Sequence, residues 1–297
     1  MLERNILKQT VRFDNYFGSS KPEQQLETRY DLRWRNSVRL EHGKDVSFGT
    51  TFLANFSLSR INKRLHLFIA AEDEPGLTTR SLPQDPGYPG FDRTTPTAHF
   101  ASTELRYELI QKPALNVFLG TGVQLKLPLE VFARSRLQYT RKLGDISLMR
   151  VAETFYVQSD DFLGETTEFS LEWRFGEATH LRWASAGTAS EKFEGLEWGS
   201  VLSLFRQLST KSSITLSGGV FSNTTRSDLL QNYQILARYR QNFFRKWLFY
   251  ELEPQISWPK RFDGSHPAIV TAIFRIEVMF RNSTANGNNG EGSIFHK

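Results

Sequence analysis

The residues best equipped for chemistry are few. Asp160 and Asp161 stand together in SDDFLGET, and Asp263 and His266 in WPKRFDGSHP. A carboxylate pair beside an Asp–His pair can orient and deprotonate a water molecule, which would make a hydrolase. Polar loops rich in Asp, Gly and Ser also arise without catalysis, and that plainer reading is preferred. The other histidines find no partners. His66 and Glu72 share a strand parity but sit about 20 Å apart at about 3.3 Å per residue, too far for a metal site. His180 and Ser185 fall on opposite parities. The chain has no cysteine, which excludes thiol catalysis, disulfides and thiolate metal ligands. No catalytic residue, metal or cofactor is assigned, and the chain is read as a non-enzyme.

A much commoner pattern surrounds these residues. In YDLRWRNSVRLE (30–41), Tyr30, Leu32, Trp34, Val38 and Leu40 share one parity, while Asp31, Arg33, Arg35, Arg39 and Glu41 share the other. A strand sends successive side chains to opposite faces, so this stretch has one apolar and one ionic face. The pattern recurs to the end of the chain. Leu105 and Tyr107 alternate with Glu104, Arg106 and Glu108; Val131, Leu137 and Tyr139 with Arg134, Arg136 and Gln138. Later, Tyr233, Ile235 and Tyr239 alternate with Gln234, Arg238 and Arg240; Leu248, Tyr250, Leu252 and Trp258 with Glu251, Glu253 and Gln255. The last run sets Phe274, Ile276, Val278 and Phe280 against Arg275 and Glu277. The strict period of two predicts about 14 strands. Only residues 145–158 are irregular, because Arg150 interrupts the apolar parity; a bulge there would reset the phase.

The links alternate in kind. INKR, QKPA, RKLGD, FGEAT, QLSTKS and NFFRK are short and often basic. Between them come residues 72–97, SDDFLGET, ASAGTASEK, SNTTRSD and WPKRFDGSHP, with HGKD and KLPLE as short exceptions. Short turns at one end and longer loops at the other are the layout of an outer-membrane barrel.

Bulk composition is consistent with this. In 297 residues, 37 basic and 32 acidic side chains give a net charge of +5, too small a surplus to argue for nucleic acid. Mean hydropathy is −0.42, and no run of about 18 apolar residues predicts a transmembrane helix. MLERNILKQT lacks the continuous apolar core of a signal peptide. Export would therefore rely on a signal absent from this chain.

A soluble sandwich would alternate too, with its apolar faces packed together. Three features favour the inverse. Aromatics cluster at strand ends: Tyr30, Tyr139, Trp173, Phe175, Tyr239, Tyr250 and Phe280 beside the short turns, and Tyr156, Trp198, Tyr233 and Trp258 toward the longer loops. Two such girdles suit two membrane interfaces. No amphipathic helix, except a weak pattern in residues 2–10, is available to cover an apolar sheet. The polar parity mixes Arg and Glu densely, as a wet lumen would allow.

The final stretch AIVTAIFRIEVMF, alternating into Phe280, resembles the C-terminal strand signal of Gram-negative outer-membrane β-barrels. The likeness covers residues 28–280 in pattern and extends to monomeric porins of the 14-stranded kind. It implies a transmembrane up-and-down antiparallel β-barrel in the outer membrane. It also implies lipid and lipopolysaccharide around the barrel, and outer-membrane assembly machinery as a transient partner. The four residues Asp160, Asp161, Asp263 and His266 resemble barrel proteases of the omptin type in residue type only. Residues 1–27 fall outside the pattern and read as a leader, a lumen plug or a periplasmic segment. Residues 281–297 read as a disordered Gly/Asn-rich tail.

The ionic parity then lines a lumen. Arg33, Arg35, Arg39, Glu104, Arg106, Glu108, Arg134, Arg136, Arg238, Arg240, Glu251, Glu253, Arg275 and Glu277 are the candidate lumen and selectivity residues. Arg134 and Arg136 are expected to face Glu104 and Glu108, or Glu153. Arg238 and Arg240 are expected to face Glu251 and Glu253, which in turn neighbour Arg275 and Glu277. Such pairs rigidify a wall, and could also sort charged solutes. The functional expectation is a porin-like channel for small polar or charged solutes. The alternatives are a plugged barrel serving as scaffold or subunit of an envelope complex, with a periplasmic or envelope protein as partner, and the mouth-located hydrolase.

Overall fold

A computed structural model describes residues 28–58, 62, 64–73, 100–125, 128–159, 162–191, 193–224, 232–261 and 263–283. The strands are β1 (Thr28–Glu41), β2 (Ser47–Ser57), β3 (Leu65–Asp73), β4 (Phe100–Gln111), β5 (Leu115–Leu125), β6 (Glu130–Lys142) and β7 (Ser147–Gln158). They continue as β8 (Phe162–Phe175), β9 (Thr179–Ser190), β10 (Phe193–Gln207), β11 (Ser212–Asn223), β12 (Asn232–Asn242), β13 (Leu248–Pro259) and β14 (Ile269–Ser283). Each strand pairs antiparallel with its sequence neighbours, and β1 pairs with β14 from Thr28↔Ser283 to Glu41↔Thr271. Fourteen strands thus close a barrel with no free edge.

The alternation explains why these segments are strands and which way they face. The ionic parity points inward: Arg33, Glu104, Glu168, Arg240, Glu251 and Glu277 are all buried. The apolar parity points outward: Leu202 is 50% exposed, Val270 54% and Ile235 58%. A water-soluble barrel would reverse this, because apolar surface is driven from water. An outward apolar belt around a closed barrel is the arrangement that lipid selects.

The aromatic girdle expected beside the short turns is present on the outer surface. Tyr139 and Phe280 are exposed there. Tyr239 and Tyr250 stack at 6.1 Å, and Trp247 packs on Phe280 at 5.4 Å. Trp173 is directly opposite Ser147, and Tyr30 is in register with Phe56. Trp258, opposite Tyr233, marks the other interface. The short turn between β12 and β13 presents Phe244, 85% exposed and at a positive φ of 58°. The Asn242 amide holds that turn by donating to the carbonyls of Arg245 and Leu248, at 2.8 and 3.0 Å.

Three expectations are corrected. β7 runs in unbroken register with both neighbours, so no bulge resets its phase at Arg150. Arg150 is simply an inward residue, sharing its parity with Thr154 and Tyr156; register shifts fall instead between Thr28 and Tyr30 on β1, Glu108 and Ile110 on β4, and Phe193 and Leu196 on β10. Tyr156 does not belong to the girdle, because it points inward and packs on Phe132. Finally, much of SDDFLGET and ASAGTASEK is strand: β8 begins at Phe162, β9 runs to Ser190 and β10 starts at Phe193. Those segments are rich in Gly, Ala, Ser and Thr on both faces, so they lack the hydropathy contrast that marks the other strands.

Leu216 and Ser217 are adjacent on β11, outward and inward. Leu216→Arg is expected to lose about 2–4 kcal/mol of folding stability in lipid vesicles, the cost of a charge near the midplane. Ser217→Arg, directed into the interior, is expected to lose less than about 1 kcal/mol. Urea unfolding of both variants measures the difference, and the opposite ranking would mean that the faces are reversed.

Candidate functional site: the ion-paired inner wall

The inner wall carries two dense ionic panels. β5 and β12 stand seven places apart in the ring of fourteen, so the panels built around them face each other. With strands about 4.8 Å apart and tilted about 40°, the ring is about 28 Å across at the backbone.

The first panel spans β3 to β8. Glu104 on β4 receives the Nε and Nη2 groups of Arg134 on β6 at 2.8 and 2.6 Å, and Arg106 Nη2 at 3.4 Å. Arg134 reaches Glu104 across β5, where Gly120 lies opposite both Arg106 and Arg134. A Cβ at Gly120 would collide with the Glu104 carboxylate, so the glycine is what lets the pair form. Arg106 is held by stacking as well: its guanidinium lies 3.9 Å from the Phe68 ring centroid and 4.0 Å from that of Phe118. Arg136 repeats the two-strand reach. It forms an ion pair with Glu168 on β8 and donates to Thr154 on the intervening β7 at 3.0 Å. Glu108 accepts from the Asn116 amide at 3.1 Å.

The second panel spans β12 to β1. Arg240 bridges Glu251 and Glu277 and lies over the Phe249 ring at 4.3 Å. Arg35 closes on Glu277 across the β1–β14 seam, Nη2 at 2.7 Å and Nε at 3.0 Å. Arg238 pairs with Glu253, which also receives Arg275 at 3.0 Å. Arg33 pairs with Asp31 at 3.3 Å and Arg39 with Glu41 at 3.0 Å, each along its own strand. A smaller group joins Arg150 and Arg182 to Glu172, at 3.4 and 3.8 Å.

The expected pairings fare unevenly. The second panel assembles as hairpin neighbours of opposite sign. Arg134 meets Glu104 as expected, Arg136 also reaches Glu168, and Glu108 also accepts from the Asn116 amide. Glu153 is not a lumen residue at all: it is outward, where Thr167 Oγ1 donates to it at 2.7 Å. Glu168 is outside the expected set, because an arginine spans two strand spacings in either direction when the residue between is small, and hydropathy does not say which. Phe68, Phe118 and Phe249 were missed because they are aromatic residues on the polar parity.

The wall between the panels differs. On β9 to β11 the inward positions include Ala184, Ala186, Gly199, Ser203, Ser213 and Ser217, all short, alongside charged Arg182 and Glu197 and aromatic Phe205 and Phe221.

Of the four hydrolytic candidates, the structure describes Asp263 and His266. The Asp263 carboxyl accepts from the Ser265 hydroxyl at 2.6 Å and the Ser265 amide at 2.9 Å, which hold it below its ordinary pKa. His266 Nδ1 is 3.0 Å from the Trp258 carbonyl oxygen, and its ring packs edge-on against Tyr233. Asp160 and Asp161 lie outside the described residues, and the flanking β7 and β8 stand six places round the ring from β13 and β14. No group of three or more His, Asp or Glu among the described residues could hold a metal.

No family model matches the chain, and no curated protein matches it. Solved structures do. The outer-membrane channel DcaP of Acinetobacter baumannii aligns with a TM-score of 0.51 over 85% of this chain and 97% of that one, at 8% identity. OprB of Pseudomonas putida aligns with a TM-score of 0.51 over 85% and 94%, at 10% identity. The shared feature is the fold, that of bacterial outer-membrane barrels.

Gly120→Val is expected to separate Arg134 from Glu104 and leave buried charge uncompensated, at a cost of about 3–5 kcal/mol. Gly218→Val, on the outer face where a Cβ meets nothing within 4 Å, is expected to change stability by less than about 0.5 kcal/mol. Unfolding midpoints in detergent or vesicles test the contrast, and equal effects would remove the role assigned to Gly120.

Proposed function

We propose that this barrel is an outer-membrane channel for small polar or charged solutes. The observation that carries the reading is the inner wall: two opposed ionic panels with a stretch of short side chains between them on β9–β11, Ala184, Ala186, Gly199, Ser203, Ser213 and Ser217. Solute would pass along the short-side-chain wall. The panels would set the field it meets, because a ring of fixed charges in a confined lumen sorts ions. The arginines keep their charge at any ordinary pH. Their carboxylate partners largely cancel that field, so the expected selectivity is weak.

The near-complete burial of Glu104, Glu251 and Arg240 favours a second reading, a non-conducting barrel acting as a scaffold in an envelope complex. The two readings differ in conductance. Planar-bilayer recording of the wild type is expected to give discrete steps with weak ion preference. Ser at Arg134, Arg136, Arg238 and Arg240 removes one arginine partner from each of Glu104, Glu168, Glu251, Glu253 and Glu277, while Arg35 remains on Glu277 and Arg275 on Glu253. It is expected to shift the reversal potential toward cations and raise unit conductance. The neutral pair Glu104→Gln with Arg134→Gln controls for folding and is expected to leave ion preference unchanged. A folded wild type without steps identifies the scaffold, and steps from the arginine-free variant alone identify the network as the barrier.

A further inference from the structure

The outer surface is not uniformly apolar. Glu153 lies midway along β7 and faces outward, opposite Leu137 on β6 and Thr167 on β8. One of its carboxylate oxygens accepts from Thr167 Oγ1 at 2.7 Å; the other is shielded and has no hydrogen-bond partner. Glu165, exposed on β8, is its diagonal neighbour on the same face. A carboxylate in the lipid-facing band is costly and is by default a sign of function. Here it sits beside a groove of about 760 Å³ whose outward lining includes Ala133, Ser135, Phe155 and Glu165. The same face continues through Gly187 and Ser185 to a second groove of about 430 Å³ at Trp183, Ser200 and Gly218. From β6 to β11 the face is about 24 Å wide at about 4.8 Å per strand, the breadth of a protein contact and not of one lipid chain.

We propose that the outward face of β6–β11 docks a second membrane-embedded polypeptide, different from this chain, that presents a lysine or arginine to Glu153 and Glu165. Charge complementarity selects this occupant. Acyl chains offer no counter-charge to the outward carboxylates of Glu153 and Glu165. Nor, at mid-depth, does a second copy among its described residues. Among the described residues, the outward-facing Lys and Arg of the strands are Arg141 and Arg206, near the short-turn ends of β6 and β10 and away from mid-depth. A two-fold contact would oppose carboxylate to carboxylate. The other outward polar spot, Asn36 with Thr50, lies on β1 and β2, six places round the ring from β7 and β8, so head-to-tail contacts through it would run on without closing. The proposal rests on the membrane-spanning barrel and not on conduction, so either can fail without the other.

Phe155 borders the groove and is 54% exposed, so benzoylphenylalanine can replace it with little change of shape. Photo-crosslinking in intact cells at position 155, with position 276 on β14 as control, tests the contact. The expected result is an adduct at 155 only, to a polypeptide whose crosslinked segment is an apolar membrane span carrying Lys or Arg. Its yield per folded barrel is expected to fall at least tenfold with Glu153→Gln plus Glu165→Gln, and to be kept with Glu153→Asp plus Glu165→Asp. Folded barrel is scored separately by heat-modifiable gel mobility, so misfolding cannot mimic loss of docking. An adduct of twice the chain mass, a lipid adduct alone, a captured span without a basic residue, or a yield indifferent to the Gln pair would each overturn the proposal.

Discussion

The closing ladder between β1 and β14 is the constraint on which everything else depends. In hydrocarbon no water is available to an unpaired backbone group, so an open sheet edge is untenable there. Twelve residues of β1, from Tyr30 to Glu41, find partners on β14 in unbroken register. Once the ring is closed, each strand has one face to lipid and one to the interior, and a register error of one residue would exchange them. The seam is also electrostatic: Arg35 and Glu277 meet directly across it.

The interior then acquires a problem of its own. Twelve or more arginines and glutamates on a concave wall need partners, and direct neighbours do not always supply them. The wall meets this by reach. Arg134 passes over Gly120 to Glu104, Arg136 passes β7 beside Thr154 to Glu168, and Arg240 joins strands on both sides of β13. Bridging two strand spacings ties alternate strands together, which adds side-chain stiffness to a ring already held by its ladders. It also explains why glycine and threonine occupy positions that look unimportant in the strand pattern.

The two panels and the short-side-chain wall divide the interior into regions with different physics. Paired charges produce a short-range, structured field, whereas the wall of β9–β11 offers space and hydroxyl groups. A permeating solute would meet both at once. The outer surface shows the converse asymmetry: most of it is uniform apolar belt, and the exception is the β6–β11 face with its two carboxylates.

The sequence by itself determined the strand count and the sidedness of most strands. Residues 30–41 or 268–280 have a strict two-residue contrast, and in a two-faced sheet that contrast is the fold. It also determined the hairpin ion pairs of β12 to β14, because adjacent strands in an up-and-down ring are adjacent in the chain. The tertiary structure alone decided the rest. Which lumen charges meet over two strands depends on the absolute registers of three strands and on the size of the residue between, and hydropathy carries neither. The inward placement of Arg150 and Tyr156 and the outward placement of Glu153 required the phase of β7, which its own mixed residues leave ambiguous. Register with β6 and β8 resolves it, since a ladder fixes orientation through backbone hydrogen bonds regardless of side-chain polarity.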